Sequence, residues 1–490
     1  MKLAGRLLGV VIFLTGVVAI ASLTVGPGGL YIEDDVPGTT TNRLYNDGGT
    51  LMWDGAEVGS GTCGITYTAT PKYEHIGDYS NVIQDAIDTN KPVYIPAGTY
   101  TLTAPLVIDE PGQIVCGAGI GRTILYVPNS AWAKTGNKGI IELEGSEPGP
   151  VVRDLSIRFT QPDEATRGNL NQFLPAIYFG ADDASGGLPR CKIQNIEILG
   201  ALIGIELAGS VGGDNSGGTF IDNVRLCTFQ YGIHADWLLD NTRFTHIDVG
   251  NYGTYDDPTA LTNNQKTVFR ASDTYAIYID RQDGLHISNS KFEDIGVGVR
   301  IGDGSSAVQS MISNSSFINI NHQALYAVNS ASIFGVSDCL FSFDSTTSSS
   351  TAIYSGSSSD LMFSSCEFSL TDKQGRLIDA SGLGLTVSNC RFDIDSDVDT
   401  TGFIQVGATC EACVSNNVVE FSASTTDTSF IHGVSGSGFT LMNNRFIPAD
   451  GATGRDAYTT AAADTHIIIG NYFNGWTASG SANQKADNIS

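Results

Sequence analysis

A short string recurs down the second half of this 490-residue chain: a turn residue, two variable residues, then a large apolar one. It reads NSKF ending at Phe292, NSSF at Phe317, DCLF at Phe341, SCEF at Phe368, NCRF at Phe392, NNVV at Val419, NNRF at Phe446 and GNYF at Phe473. The spacings are 25, 24, 27, 24, 27, 27 and 27 residues. NTRF, ending at Phe244, lies 48 residues before Phe292, so two coils of 24 are expected there, with Phe269 near their midpoint. Looser copies, QNIEI ending at Ile198 and DNVRL at Leu226, carry the pattern upstream. Short strand-like runs repeating every 25 residues or so, without helical periodicity, are what one coil of a parallel β-helix requires. The sequence therefore predicts an all-β fold, a right-handed single-stranded parallel β-helix of about 24–27 residues per coil.

In such a stack the Phe column lies inside, and Asn289, Asn314, Asn389 and Asn443 form a ladder at a bend, where their amides satisfy turn backbone groups. Cys339, Cys366 and Cys390 share one register on successive coils. Neighbours there stand close enough for a disulfide, while packing as buried free thiols is the simpler reading. Cys410 and Cys413 form a CxxC without a second pair or a histidine at zinc spacing.

Composition narrows the partners. The 57 glycines beside 41% hydrophobic residues fit many short strands cut by turns. The net charge of −26, with 26 Lys and Arg in all and no basic stripe, removes the phosphate-neutralising term of nucleic-acid binding. No cofactor is called for, although the carboxylates could recruit Ca²⁺.

Along the chain, residues 1–25 form an apolar leader or anchor: Lys2 and Arg6 precede the run Leu7 to Val25, and Ala19, Ile20 and Ala21 resemble a cleavage site. A secretory signal and a membrane contact through residues 7–25 both fit. Residues 26–62 read as a small module with a hairpin between Leu44-Tyr45 and Leu51-Met52-Trp53. In 63–127, DYSNVIQDAID places Val82, Ile83, Ala86 and Ile87 on one helical face, with Asp78 or Ser80 as N-cap, to cover the open end of the stack. Residues 128–475 are the β-helix body and 476–490 a polar tail.

The stretch SNVIQDAIDTNKPVYIPAGTYTL resembles the start of the pectate-lyase-like superfamily, and TTTNRLYNDGGTLMWDG looks like the N-terminal module of bacteriophage tail fibres and tailspikes. Together these cover about residues 31 to 127. The resemblance implies a virion tail protein, a homotrimer with side-by-side β-helices, that binds or depolymerises host or algal polysaccharide. A leader departs from that pattern and points instead to a secreted or membrane-anchored bacterial lyase or hydrolase; a non-catalytic adhesive rod is the third reading.

The resemblance transfers no reaction. The GHG and RxK elements of polygalacturonases are absent, and Asp182-Asp183 and Asp256-Asp257 lack the flanking pattern. Whether the chain is an enzyme is left open; glycoside cleavage would need two carboxyls roughly 5–9 Å apart, which residues one coil apart could supply. Asp256 and Asp280 are 24 apart, as are His246, Arg270 and Asp294 in turn, and 234–294 is the densest region of ionisable residues. Asp280, Glu293 and Asp294 are the acid and base candidates; His246, Asp256, Arg281, His286 and Tyr255 are the expected substrate contacts. Tyr252, Tyr275 and Trp237 could add sugar stacking, and NYGTYDDPTALTNNQKT a loop walling a groove. The alternative is that these acids are solvated surface and the histidines cap turns.

Overall fold

The computed structural model describes residues 24–26, 29–31, 44–47, 50–53, 56–57, 67–68, 78–128, 138–144, 149–179, 190–207, 218–238, 242–282, 284–302, 307–327, 331–343, 351–356, 360–370, 376–394, 403–421, 429–434, 438–448, 455–460, 465–473, 476–477 and 484–486. They fall in two compact units, Met1–Thr68 and Ala69–Ser490. The leader expected at 7–25 lies outside the described residues apart from Thr24–Gly26, a strand paired with Gly29–Tyr31. In the same unit Leu44–Asp47 pairs antiparallel with Thr50–Trp53, the hairpin read from the turn residues, and Ala56–Glu57 adds a third strand.

The second unit is a right-handed parallel β-helix. A typical coil carries three strands, such as Leu285–Ser288, Lys291–Glu293 and Val297–Ile301. Each pairs in parallel with its counterpart one coil on, giving three long sheets. Strands this short alternate inward and outward, so the apolar residues of each meet in one continuous interior. Trp476–Thr477 and Gln484–Ala486 still pair with preceding strands, so the pairing runs into the segment expected as a tail.

The Phe column is interior from Phe292 to Phe446, and the ladder of registers runs on to Phe473. Phe317 and Phe341 stack at 4.8 Å with 5° between planes, and Phe368 and Phe392 at 4.7 Å with 10°. Gly298 is glycine because a Cβ there would stand 2.5 Å from Ala324 O and 2.9 Å from the Phe317 ring.

At the corner, Asn195, Asn223, Asn289, Asn314, Asn389, Asn416 and Asn443 all hold φ between 48° and 58°, the left-handed conformation that asparagine tolerates. One residue further a buried polar column turns inward. Cys390 N–H donates to Asn417 Oδ1 at 2.8 Å, Asn417 N–H to Asn444 Oδ1 at 3.0 Å, and Asn444 N–H to Asn471 Oδ1 at 2.9 Å. Ser290, Ser315, Cys339 and Cys366 occupy the same column, and the three cysteines are buried free thiols.

The coil before Phe292 departs from the expected spacing. Phe244 pairs with Ile287, and the residue in register with Phe292 is Val249. The Ile247 N–H reaches Ser290 Oγ across 43 residues, so a single long coil stands where two of 24 were expected. The excess is an inserted loop and the helix Asn263–Phe269, on which Phe269 is buried.

The expected capping helix is Ser80–Ile87. It buries Ile83, Ala86 and Ile87, while Val82, expected on the same face, is exposed. Its N-cap is Tyr79 rather than Asp78 or Ser80, although Asp78 accepts from the Ser80 amide at 2.9 Å. Gln84 accepts from Val107 N at 2.8 Å and donates to Val107 O at 3.0 Å. Its carboxamide thus imitates the next strand at the edge of Leu106–Ile108 and blunts it.

Candidate functional site

On the third sheet the strands carry an in–out–in triplet, alone as in Ile177–Phe179, Ile353–Ser355 and Ile404–Val406 or at the end of a longer strand as in Gln323–Ala327, so each coil presents an outward side chain at the same height. Strand pairing lines these up as Glu142, Tyr178, Glu206, His234, Tyr278, Arg300, Tyr326, Tyr354, Asp379, Gln405 and His432. The flanking residues, Ile277 and Ile279 or Leu325 and Ala327, point into the core and fix the backbone beneath. The result is a stripe of half-buried aromatic and charged groups crossing successive coils.

Its centre is dense. His234 stacks on Tyr231 at 4.7 Å and lies edge-on to Tyr278 at 5.3 Å. Tyr275 lies 5.7 Å from Tyr231 and 5.0 Å from Tyr278. One coil on, the Arg300 guanidinium sits over Tyr278, Tyr326 and Tyr275 at 4.5, 5.4 and 5.7 Å, and Tyr326 packs on Tyr354 at 5.2 Å. Burial, then the neighbouring Asp280 carboxylate, push the Tyr278 hydroxyl well above the usual phenol range. Further along, Arg376 pairs with Asp379 at 2.9 Å, and burial followed by the Arg376 charge lowers the His432 pKa.

His234 stands between two carboxylates: Nδ1 is 3.5 Å from Glu206 Oε1 and Nε2 is 3.7 Å from Asp280 Oδ2. With the ring nitrogens about 2.2 Å apart, the two carboxylate oxygens are separated by no more than about 9.5 Å, compatible with the roughly 6.5–9.5 Å that inverting glycoside hydrolysis uses. Tyr278 hydrogen-bonds Asp280, two residues on along the same strand.

A shelf borders this region. It joins residues 160–175, from one coil, to the inserted 250–274 of a later one. Arg167 donates from Nη1 and Nη2 to Asp273 at 2.5 and 2.7 Å, and from Nε to Phe229 O at 2.7 Å. Gln265 Nε2 bonds Pro162 O at 3.1 Å, Tyr255 N–H reaches Phe159 O at 3.0 Å, and Thr262 with Gln265 forms a capping box on the inserted helix. Arg167 also bonds Thr274, the residue before Tyr275, so the shelf ends against the aromatic cluster.

Of the residues expected at a site, Asp280 and Tyr275 belong to the stripe. Arg281 is described by its backbone alone, in register with Trp237, which is described likewise. Glu293 and Asp294 lie on and just after a strand of the second sheet, apart from Asp280, and each has its own cation: Lys291 at 2.5 Å for Glu293, and Arg270 for Asp294. His246 takes the left-handed corner position of the Asn column, with Nδ1 2.9 Å from Asp222. Burial of Asp222 is outweighed by hydrogen bonds from Thr245 and His246, which hold its pKa low. Tyr255 stacks on Tyr126 at 3.8 Å within the shelf, and Tyr252 donates to Asp248 beneath Arg225. Asp256 is exposed on the shelf, and His286 is exposed on the first sheet. Asp256 and Asp280 are not stacked, because the long coil shifts the register.

Glu206, His234, Arg300, Tyr326 and Tyr354 were not singled out from sequence. Among the described residues no group of three or more His, Cys, Asp or Glu side chains could hold a metal ion.

Residues 275–446 match the family model described as a right-handed beta helix region. No curated protein matches the chain. Solved structures similar to it include the N-terminal fragment of bacteriophage Phi29 gene product 12, at 14% identity over 82% of this chain and 69% of that one, TM-score 0.47. Others are the catalytic unit of a GH87 alpha-1,3-glucanase from Streptomyces thermodiastaticus strain HF3-3, at 14% over 87% and 72%, TM-score 0.45, and PfbA, a surface adhesin of Streptococcus pneumoniae, at 14% over 77% and 90%, TM-score 0.44. These likenesses are of fold alone.

Proposed function

We propose that this chain binds an extended polysaccharide along the stripe of its third sheet and hydrolyses it beside His234. The observation that carries this reading is the column running from Tyr178 through His234, Tyr278, Arg300 and Tyr326 to Tyr354: one aromatic or charged group per coil. Strand spacing is about 4.8 Å, close to the length of a pyranose unit, so successive side chains can meet successive sugars. Tyrosine faces suit the apolar faces of sugars, and the charged groups between them bond hydroxyls.

For the chemistry, Asp280 is the base and Glu206 the acid. Asp280 takes a proton from water as its oxygen attacks the anomeric carbon; the glycosidic C–O bond breaks, and Glu206 delivers a proton to the departing oxygen. His234 positions both carboxylates.

The biological setting that fits is a bacteriophage tailspike or tail fibre acting on host surface polysaccharide, assembled as a homotrimer. It rests on the module resembled by residues 39–55 and the hairpin Leu44–Asp47 with Thr50–Trp53. The apolar run 7–25 favours a secreted or membrane-anchored bacterial enzyme instead.

The test is incubation of the purified protein with a panel of bacterial surface and algal polysaccharides, reading reducing ends and unsaturated uronates in parallel. Reducing ends without unsaturation support hydrolysis; unsaturation identifies a lyase and removes the roles given to Asp280 and Glu206. Binding without release of ends makes the protein an adhesive rod.

A further inference from the structure

Arginines in this acidic chain generally have carboxylates to face. Arg158 pairs with Glu197, Arg167 with Asp273, Arg270 with Asp294, Arg376 with Asp379 and Arg391 with Glu420. Among the described arginines with no carboxylate at ion-pair distance, Arg122, Arg190, Arg243 and Arg445 are exposed to solvent, whereas Arg300 is half-buried. Three tyrosine rings surround its guanidinium, Nη1 reaches the Tyr275 hydroxyl at a long 3.4 Å, and Nε is buried without a hydrogen-bond partner.

A partly desolvated guanidinium left with donors unused is costly, and the tyrosine faces offset only part of that cost. The arrangement holds the planar fork still, in the middle of the stripe, with donors left over. What completes such a fork is an oxyanion accepting two parallel N–H bonds.

We infer that Arg300 is the specificity-determining residue of the stripe and binds an oxyanion substituent of the glycan, a uronate carboxylate or a sulfate ester. This rests on the polysaccharide reading above and deepens it. The net charge of −26 does not oppose it: at physiological salt, repulsion is screened beyond about 8 Å, whereas a contact made inside the tyrosine cage is screened far less. The Asp379 carboxylate further along the stripe is already engaged by Arg376.

The experiment is calorimetric titration of the full chain with oligosaccharides of matched length in three forms: uronate-bearing, the same oligomer after carboxyl reduction, and a sulfated neutral oligomer with its desulfated partner. Wild type is expected to prefer one anionic form over its neutral counterpart by tenfold or more, and the preferred form identifies the oxyanion. R300M should abolish that preference while neutral oligomers still bind through Tyr326 and Tyr354; R300K, which keeps the charge but loses the fork, should retain a small part of it. Circular dichroism confirms that each variant is folded. Equal affinity for charged and neutral forms, or a preference unchanged in R300M, overturns the inference and leaves the polysaccharide reading standing. Failure of every oligomer to bind removes both.

Discussion

Arg167 and Asp273 meet in a bidentate ion pair although 106 residues separate them in sequence. The pair joins insertions from different coils into one shelf and anchors it where the tyrosine cluster begins. Asp273 is largely exposed, so solvent screens the pair, but Arg167 also bonds Phe229 O and Thr274. D273N should therefore cost about 0.5 kcal/mol and R167M about 1–2 kcal/mol, with faster hydrogen exchange over 263–274 in both. The Arg167 guanidinium holds the Asp273 pKa below its usual 3.8. A depressed carboxylate stabilises the fold fully above its unfolded pKa and loses that contribution as pH falls through the folded one. D273N should accordingly show its full cost at neutral pH, flatten the acid limb below about pH 4 and converge with wild type at lower pH. Exchange rates equal to wild type in both variants would show that the shelf is held elsewhere.

The Phe stack sets the stability of the body. Phe341 is fully buried between Phe317 and Phe368, with centroids at 4.8 and 5.0 Å. F341A should destabilise by about 3–5 kcal/mol in denaturant unfolding, and F341L by much less. A loss under 1 kcal/mol for F341A would mean that the stack is not tightly packed.

The buried polar column makes a more selective claim. Asn444 accepts from Asn417 N and Nδ2 at 3.0 Å and donates to Val414 O and Asn471 Oδ1 at 2.9 Å. N444A leaves these groups unsatisfied and should cost about 2–4 kcal/mol. N444S should cost less, because serine fills the same column at 290 and 315. Equal losses for the two would place the cost in packing instead of hydrogen bonding.

How much was legible in the sequence depended on whether a column repeats its residue type. Phe, Asn and the stacked cysteines announce themselves because the same side chain does the same work on every coil. The stripe repeats a position but not a chemistry: glutamate, histidine, tyrosine, arginine and aspartate follow one another, so nothing recurs to be noticed. Only the apolar neighbours, as in Ile277-Tyr278-Ile279 and Val299-Arg300-Ile301, mark it. The insertion 250–274 hid the register as well. A separation of 48 residues mimicked two coils, which set Asp256 below Asp280 on paper and gave His246, a corner residue, the look of a ligand.

The central claim is that glycan lies along the third sheet, and one comparison tests it most directly: affinity of the Y326A/Y354A double variant for the polysaccharide that wild type binds, beside M362S on the first sheet. Met362 is exposed and away from the stripe. The account predicts a loss of about thirtyfold or more for the tyrosine pair, at about 1–3 kcal/mol for each stacking face removed, and no change for M362S. Undiminished affinity in Y326A/Y354A, with the variant folded, would contradict it.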